Sequence, residues 1–137
     1  MSKLLILGSI AFDQIETPFG KSNAIMGGSA NYIALAAAQF EIPAAVVSIV
    51  GDDYPQEYLH LLTERRIDVS GIEIVHGGKT LFWSGKYHND MNQRDTLDTQ
   101  LNVINDFKPV VSEAFRDAEV LLLGNLHPTL QMDVLNQ

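Results

Sequence analysis

Apolar residues along the chain fall into continuous runs that end on glycine, separated by stretches where they recur at helical spacing. Lys3-Leu4-Leu5-Ile6-Leu7-Gly8, the run over 44–50 that closes on Gly51, and Val120-Leu121-Leu122-Leu123-Gly124 share the first pattern. A strand that is apolar at every position is buried on both faces, as in parallel sheets covered by helices. The stretch 31–40 is rich in alanine, the best helix former. Ala30, Ala34, Ala37 and Ala38 fall on one face of that helix and allow close packing on a sheet. Pro43 ends it. Asp52-Asp53 is expected to open a second helix, because acids suit its positive N-terminal end. Tyr58, Leu61 and Leu62 follow at helical spacing.

Further along, 72–75 is strand-like, Gly77-Gly78 reads as a turn, and 80–87 is rich in the aromatic and β-branched residues of strands. The region 11–26 mixes polar and apolar residues around Pro18 and Gly20, which predicts short strands or an extended excursion. A polar stretch covers 88–99. A short helix is predicted over 110–117 after Pro109, and another over 128–137. Strands alternating with helices predict an α/β fold with a mainly parallel sheet flanked by helices. With no internal repeat, low-complexity tract or linker, 1–137 reads as one unit.

Composition narrows the function classes. The chain has 137 residues, 46% hydrophobic and 19% charged, an ordinary globular balance with enough length to bury a core. Its formal net charge of −8 repels nucleic acid and anionic membrane, so neither is expected as a partner. Lys and Arg are scattered, with only Arg65-Arg66 adjacent, and the acids over 52–73 read as a solvated helix face. No apolar run approaches the roughly 20 residues that span a bilayer. The opening run is too short for a signal peptide and no small-residue cleavage site follows it. The chain has no cysteine, which excludes disulfides and thiolate chemistry and suits a cytoplasmic protein.

Ligands of open parallel sheets collect beyond the carboxyl ends of the strands. Three segments should lie there: Gly8-Ser9-Ile10-Ala11-Phe12-Asp13, Gly27-Gly28-Ser29-Ala30, and Gly124-Asn125-Leu126-His127-Pro128. Asp13 offers several acceptor sites for the hydroxyls of a polyol, or serves as a turn or capping residue. Gly27 and Gly28 let backbone N–H groups approach a ligand at a helix start, or only make a tight turn. Trp83 and Tyr87 are strand packing or a ligand platform. Neither a Walker A sequence nor G-x-G-x-x-G occurs. Residues 88–92 faintly suggest a calcium loop, but Arg94 sits where a ligand belongs and the turn glycine and closing glutamate are missing. The four histidines lack metal-ligand spacing, and no metal site is expected.

Taken in order, four stretches resemble the ribokinase-like (PfkB-type) carbohydrate kinases, over Leu4 to the end of the chain. They are Gly8-Ser9-Ile10-Ala11-Phe12-Asp13; Gly27-Gly28-Ser29-Ala30-Asn31-Tyr32-Ile33-Ala34; Val50-Gly51-Asp52-Asp53; and Leu62-Thr63-Glu64-Arg65-Arg66-Ile67-Asp68-Val69. The resemblance implies the N-terminal portion of a ribokinase-like α/β fold, incomplete here, with a small β lid over about 12–26 and 80–101. It implies the substrate side of an ATP-dependent kinase that phosphorylates a hydroxyl of a sugar or nucleoside, with Asp13, Gly27, Gly28, Asn31, Tyr32 and Asn125 as substrate contacts. It places Phe12, Trp83, Tyr87, Asn89 and Arg94 in the lid or pocket, and implies homodimer contacts through the lid strands.

Two departures qualify the resemblance. The family's signature asparagine falls on Tyr32, with Asn31 one residue early, and a helix turns about 100° per residue. Either Asn31 or Tyr32 therefore faces the substrate. Glu41 also stands where the family usually has a small residue. No D-T-x-G-A-G-D-like segment with anion hole and base is present, so no catalytic residue is expected in this chain. ATP and Mg2+ would be bound mostly outside it. The alternatives are a non-catalytic polyol- or nucleoside-binding fragment or paralogue, and an α/β domain that only mediates association.

Overall fold

The computed structural model describes residues 2–137. In chain order the elements are β1 (Leu4–Leu7), β2 (Ala11–Thr17), β3 (Gly20–Lys21), β4 (Ile25–Gly27), α1 (Ser29–Gln39) and β5 (Ala44–Gly51). There follow α2 (Gln56–Glu64), β6 (Ile67–Val75), β7 (Leu81–Tyr87), β8 (Arg94–Gln100), β9 (Val120–Leu123) and α3 (Pro128–Leu135). Short 3-10 turns occupy Asn102–Asp106 and Glu113–Phe115.

The three apolar runs become neighbours in one parallel sheet of order β6-β5-β1-β9. Every residue of β5 is buried, and its side chains alternate between two cores as a period-two strand must. Ala44, Val46 and Val50 pack under α1 and α2 with Ile6, Ala34 and Leu62. Ala45, Val47 and Ile49 pack on the other face with Phe107, Val111, Phe115 and Val134. Each fully buried Val, Leu or Ile contributes about 1.5–3 kcal/mol, which makes this strand the energetic centre of the fold. Small side chains bring α1 close to the sheet, with Ala30, Ala34 and Ala37 all buried.

A second sheet, of order β3-β2-β7-β8 with β4 also on β2, stands off the carboxyl ends of the first. The chain crosses between the sheets at 8–10, 27–28, 76–80 and 101–102. The 76–80 and 101–102 crossings are clamped at Thr80, which is 1% exposed. Asp53 Oδ1 accepts from Thr80 N at 2.9 Å and from Thr80 Oγ1 at 2.7 Å. Thr80 Oγ1 accepts from Gly51 N at 3.0 Å, and Thr80 O accepts from Asn102 Nδ2 at 2.9 Å.

This clamp corrects the expectation that Asp52-Asp53 opens a helix. Helix α2 begins at Gln56 behind Pro55, because Asp53 is engaged by Thr80 and Asp52 Oδ2 accepts from Gly77 N. Its buried positions are Leu59 and Leu62. The helix expected over 110–117 is also absent except for the short turn at Glu113–Phe115. There the Gln137 side chain captures the backbone, accepting from Val111 N and donating to Pro109 O. Strand β6 is longer than expected, and the polar stretch after His88 contains β8, which is exposed throughout.

Thr80→Val keeps the shape of the clamp but leaves the Gly51 amide and one side of Asp53 unpaired. Equilibrium urea unfolding should show a loss of about 1–3 kcal/mol, the cost of unsatisfied buried groups. An unchanged midpoint would mean the clamp contributes nothing.

Candidate functional site

A cavity of about 880 Å³ lies between the inner face of the second sheet and the carboxyl ends of β1 and β9. Strand register puts its walls together. Asp13 of β2 lies opposite Trp83 of β7 in a parallel pair. Trp83 in turn lies opposite Thr99 of β8, and Tyr87 opposite Arg94. Ser29 and Tyr32 of α1 close one side, and Asn125 and His127, after β9, close another.

Asp13 is the carboxylate of this cavity. Its side chain takes no hydrogen bond or ion pair among the described residues, so its acceptor sites are open to a ligand. Burial pushes its pKa above the ordinary aspartate value, because desolvation disfavours the charged form. Gly27 packs directly against this carboxylate, and a Cβ there would collide with it. Gly28 has φ 91°, and a Cβ there would strike the Ser9 carbonyl. Any other residue at Gly28 is both strained and obstructed.

Where α1 begins, the polar groups are tied into a short network. Ser9 Oγ donates to Asn125 Oδ1 at 2.7 Å and accepts from Ser29 N at 3.4 Å. Ser29 Oγ accepts from Asn125 N at 3.2 Å. With Oδ1 engaged, Asn125 has its Nδ2 donors left for a ligand. Across the cavity the Trp83 indole covers Gly85, where a Cβ would run into the ring. Trp83 Nε1 donates to Thr96 Oγ1 at 3.3 Å, and the Arg94 guanidinium sits 5.0 Å from the ring centre. This cation–π contact presets a flat, positively charged surface.

Asp13, Gly28, Tyr32, Asn125, Trp83, Tyr87 and Arg94 thus all line the cavity. Four other expected contacts do not. Asn31 is fully buried, with Nδ2 donating to Gly27 O at 2.7 Å and to Tyr54 Oη at 3.0 Å. Tyr32, 56% exposed, is the residue that reaches the cavity, its Oη donating to Met26 O at 2.9 Å. Gly27 lies behind Asp13. Phe12 points to the opposite face of β2, with its ring 5.6 Å from Tyr54. Asn89 sits in the exposed turn between β7 and β8, where Asp90 accepts from the amides of Asn92 and Gln93. Sequence reasoning missed Ser9, Ser29, Thr99, Asn105 and His127. Ser9, Ser29 and His127 lay inside glycine segments already marked, whereas Thr99 and Asn105 carry no local signal.

A parallel sheet with α1 and α2 on one face, α3 and short turns on the other, and a β lid over its carboxyl ends, is the ribokinase-like fold. A nucleoside kinase from Methanocaldococcus jannaschii, an archaeal member of the ribokinase family, superposes over 99% of this chain and 48% of its own, with TM-score 0.78 and 16% identity. The Burkholderia thailandensis nucleoside kinase in complex with ADP-inosine superposes over 86% of this chain and 43% of its own, with TM-score 0.69 and 20% identity. In sequence, a cytidine kinase of Thermococcus kodakarensis is 28% identical over the whole chain and 48% of its own length. The chain spans about half the length of these proteins. No protein-family model matches it.

Asp13 also sets a pH dependence. Its folded-state pKa is raised, so the unfolded chain ionises first as pH climbs and stability falls across that window. Asp13→Asn removes the penalty. It should therefore be more stable than wild type at pH 7, with the difference vanishing near pH 3, below the unfolded aspartate pKa of about 3.9. Urea unfolding at both pH values measures this, and a difference that persists at low pH contradicts it.

Proposed function

We propose that this chain is the acceptor-binding part of an ATP-dependent kinase that phosphorylates a hydroxyl of a nucleoside. The observation that carries the reading is that Asp13, an unengaged carboxylate, and Trp83 stand side by side on the inner face of the β lid, on one wall of the cavity. A ribose presents hydroxyls that donate to the carboxylate, and a planar base suits the Trp83–Arg94 surface. Asn125 Nδ2 supplies a donor for an acceptor atom of the same ligand. The similarity to a cytidine kinase and to nucleoside kinases favours a nucleoside over a free sugar.

These residues bind and orient; they do not transfer. Phosphoryl transfer depends on positioned charge around the transferred group. Among the described residues no three His, Cys, Asp or Glu side chains converge to hold a metal ion, and the cavity's charged pair is Asp13 and Arg94. By the resemblance, ATP, Mg2+ and the general base would be held mostly outside this chain, in the half that its longer relatives contain. The contribution of this chain is to fix the acceptor hydroxyl and, through the lid strands β2, β7 and β8, to keep water from it. The exposed strand β8, and Phe19 at 88% exposure, support the lid as the surface of a homodimer. Among the described residues no helix is long and apolar enough to cross a membrane. A cytoplasmic location fits the lack of cysteine.

Calorimetric titration of the chain with cytidine, inosine and ribose tests the reading. A nucleoside should bind, Asp13→Ala should weaken it at least tenfold by removing a charged hydrogen-bond acceptor, and ribose should bind more weakly than either nucleoside. No binding by any of the three sinks the proposal. Nucleoside binding with no ATP turnover in the longer protein selects the non-catalytic alternative.

A further inference from the structure

We propose that Asn31 and Tyr54 are positioning residues for Asp13, fixing the backbone on either side of its carboxylate so that it stays available to an acceptor hydroxyl. The inference builds on Asp13 as the acceptor-binding group. Asn31 is the third residue of α1 and is fully buried among Ala30, Ala34 and Ala37. Packing against a sheet would select a small apolar side chain at such a place. Instead the amide Nδ2 donates to both Gly27 O and Tyr54 Oη, while Oδ1 is buried without a partner. The Gly27 carbonyl can only accept, so turning the amide over would set two acceptors against each other. A buried acceptor is left unsatisfied to keep that donor in place, and an exception of this kind calls for a cause beyond packing.

Both partners lead to Asp13, by separate routes. Gly27 ends β4 opposite Ala11 of β2, and it leaves no room for a Cβ beside the Asp13 carboxylate. A shift of the Gly27 carbonyl therefore moves the surface on which that carboxylate rests. Tyr54, 4% exposed, follows β5 and places its ring 5.6 Å from Phe12, the strand neighbour of Asp13 on the opposite face. Tyr58 braces the same ring edge-on at 5.5 Å. Burial pushes the Tyr54 phenol up to about 12, so it stays protonated and neutral beside Asn31 at physiological pH. The titratable groups that share the Asp13 cavity are Tyr32 of α1, Tyr87 of β7, Arg94 of β8 and His127 ahead of α3. Substituting Asn31 or Tyr54 leaves all four in place.

The test is a carbon-13 NMR titration of the Asp13 carboxyl in the full chain, with cytidine affinity measured by calorimetry alongside. Asn31→Ala releases the Gly27 carbonyl and admits water to the carboxylate. Asp13 should then titrate lower than in wild type and cytidine should bind about tenfold more weakly. Asn31→Ser, whose hydroxyl can donate to the carbonyl four residues back, should retain the wild-type titration. Tyr54→Phe should move Asp13 in the same direction as Asn31→Ala, but less. Leu62→Ala removes a buried side chain from the same core and none of the hydrogen bonds of this network; it should lower stability and leave the Asp13 titration unchanged. An Asp13 titration that is the same in wild type and Asn31→Ala overturns the proposal, as does an equal shift in Leu62→Ala. Should Asn31→Ala fail to fold, an unshifted titration in Tyr54→Phe overturns it. If wild type binds no cytidine yet Asn31→Ala still shifts Asp13, the nucleoside reading fails and the positioning role stands.

Discussion

Strand β5 is covered on both faces, and that constraint organises the rest of the molecule. With all eight residues buried, its backbone groups must pair along the sheet, which they do with β1 and β6. Ser48 is the polar side chain of this strand, and its hydroxyl donates to the Gly8 carbonyl, because a buried polar group left unpaired is costly. Polar chemistry is therefore displaced to the strand ends, where the backbone leaves the sheet. The cavity forms there because the second sheet is held over those ends by the Thr80 clamp and the crossing at Gly27-Gly28.

The site bears costs that the core avoids. Asp13 is partly desolvated with no countercharge bonded to it, and Asn31 keeps one oxygen unpaired in the interior. Gly28 occupies a conformation that L side chains rarely adopt. Such exceptions gather where geometry is selected for something other than stability. Here they are adjacent: Asn31 binds Gly27, Gly27 abuts Asp13, and Gly28 abuts the backbone of Ser9. Their proximity is the physical basis for treating this corner, rather than the second groove between α2 and β6, as the functional one.

Much of the fold could be read from residue pattern. The runs ending at Gly8, Gly51 and Gly124 are uninterrupted because their strands are buried twice over, and β1, β5 and β9 do lie side by side. The alanine face of α1 is likewise a direct record of close packing. Three local signals pointed elsewhere. The acids at 52–53 suited a helix start, yet a threonine 27 residues away engages Asp53. The stretch 110–117 follows a proline as helices often do, yet the side chain of Gln137 binds the Val111 amide and the Pro109 carbonyl at its start. The polar run 94–100 lacked strand propensity and is a strand because β7 presents it a free edge.

What the residues determined unaided was the parallel α/β layering and the neighbourhood of the site, since burial periodicity and glycine punctuation are local properties of the chain. The choice between Asn31 and Tyr32 was not local. Both side chains leave one helix turn about 100° apart, and only the surroundings say which direction is interior. The structure places Asn31 inward against Tyr54 and Gly27, and Tyr32 outward at the cavity. That decision came from where β4 and the turn after β5 meet α1, contacts between segments far apart in sequence that no periodicity along the chain encodes.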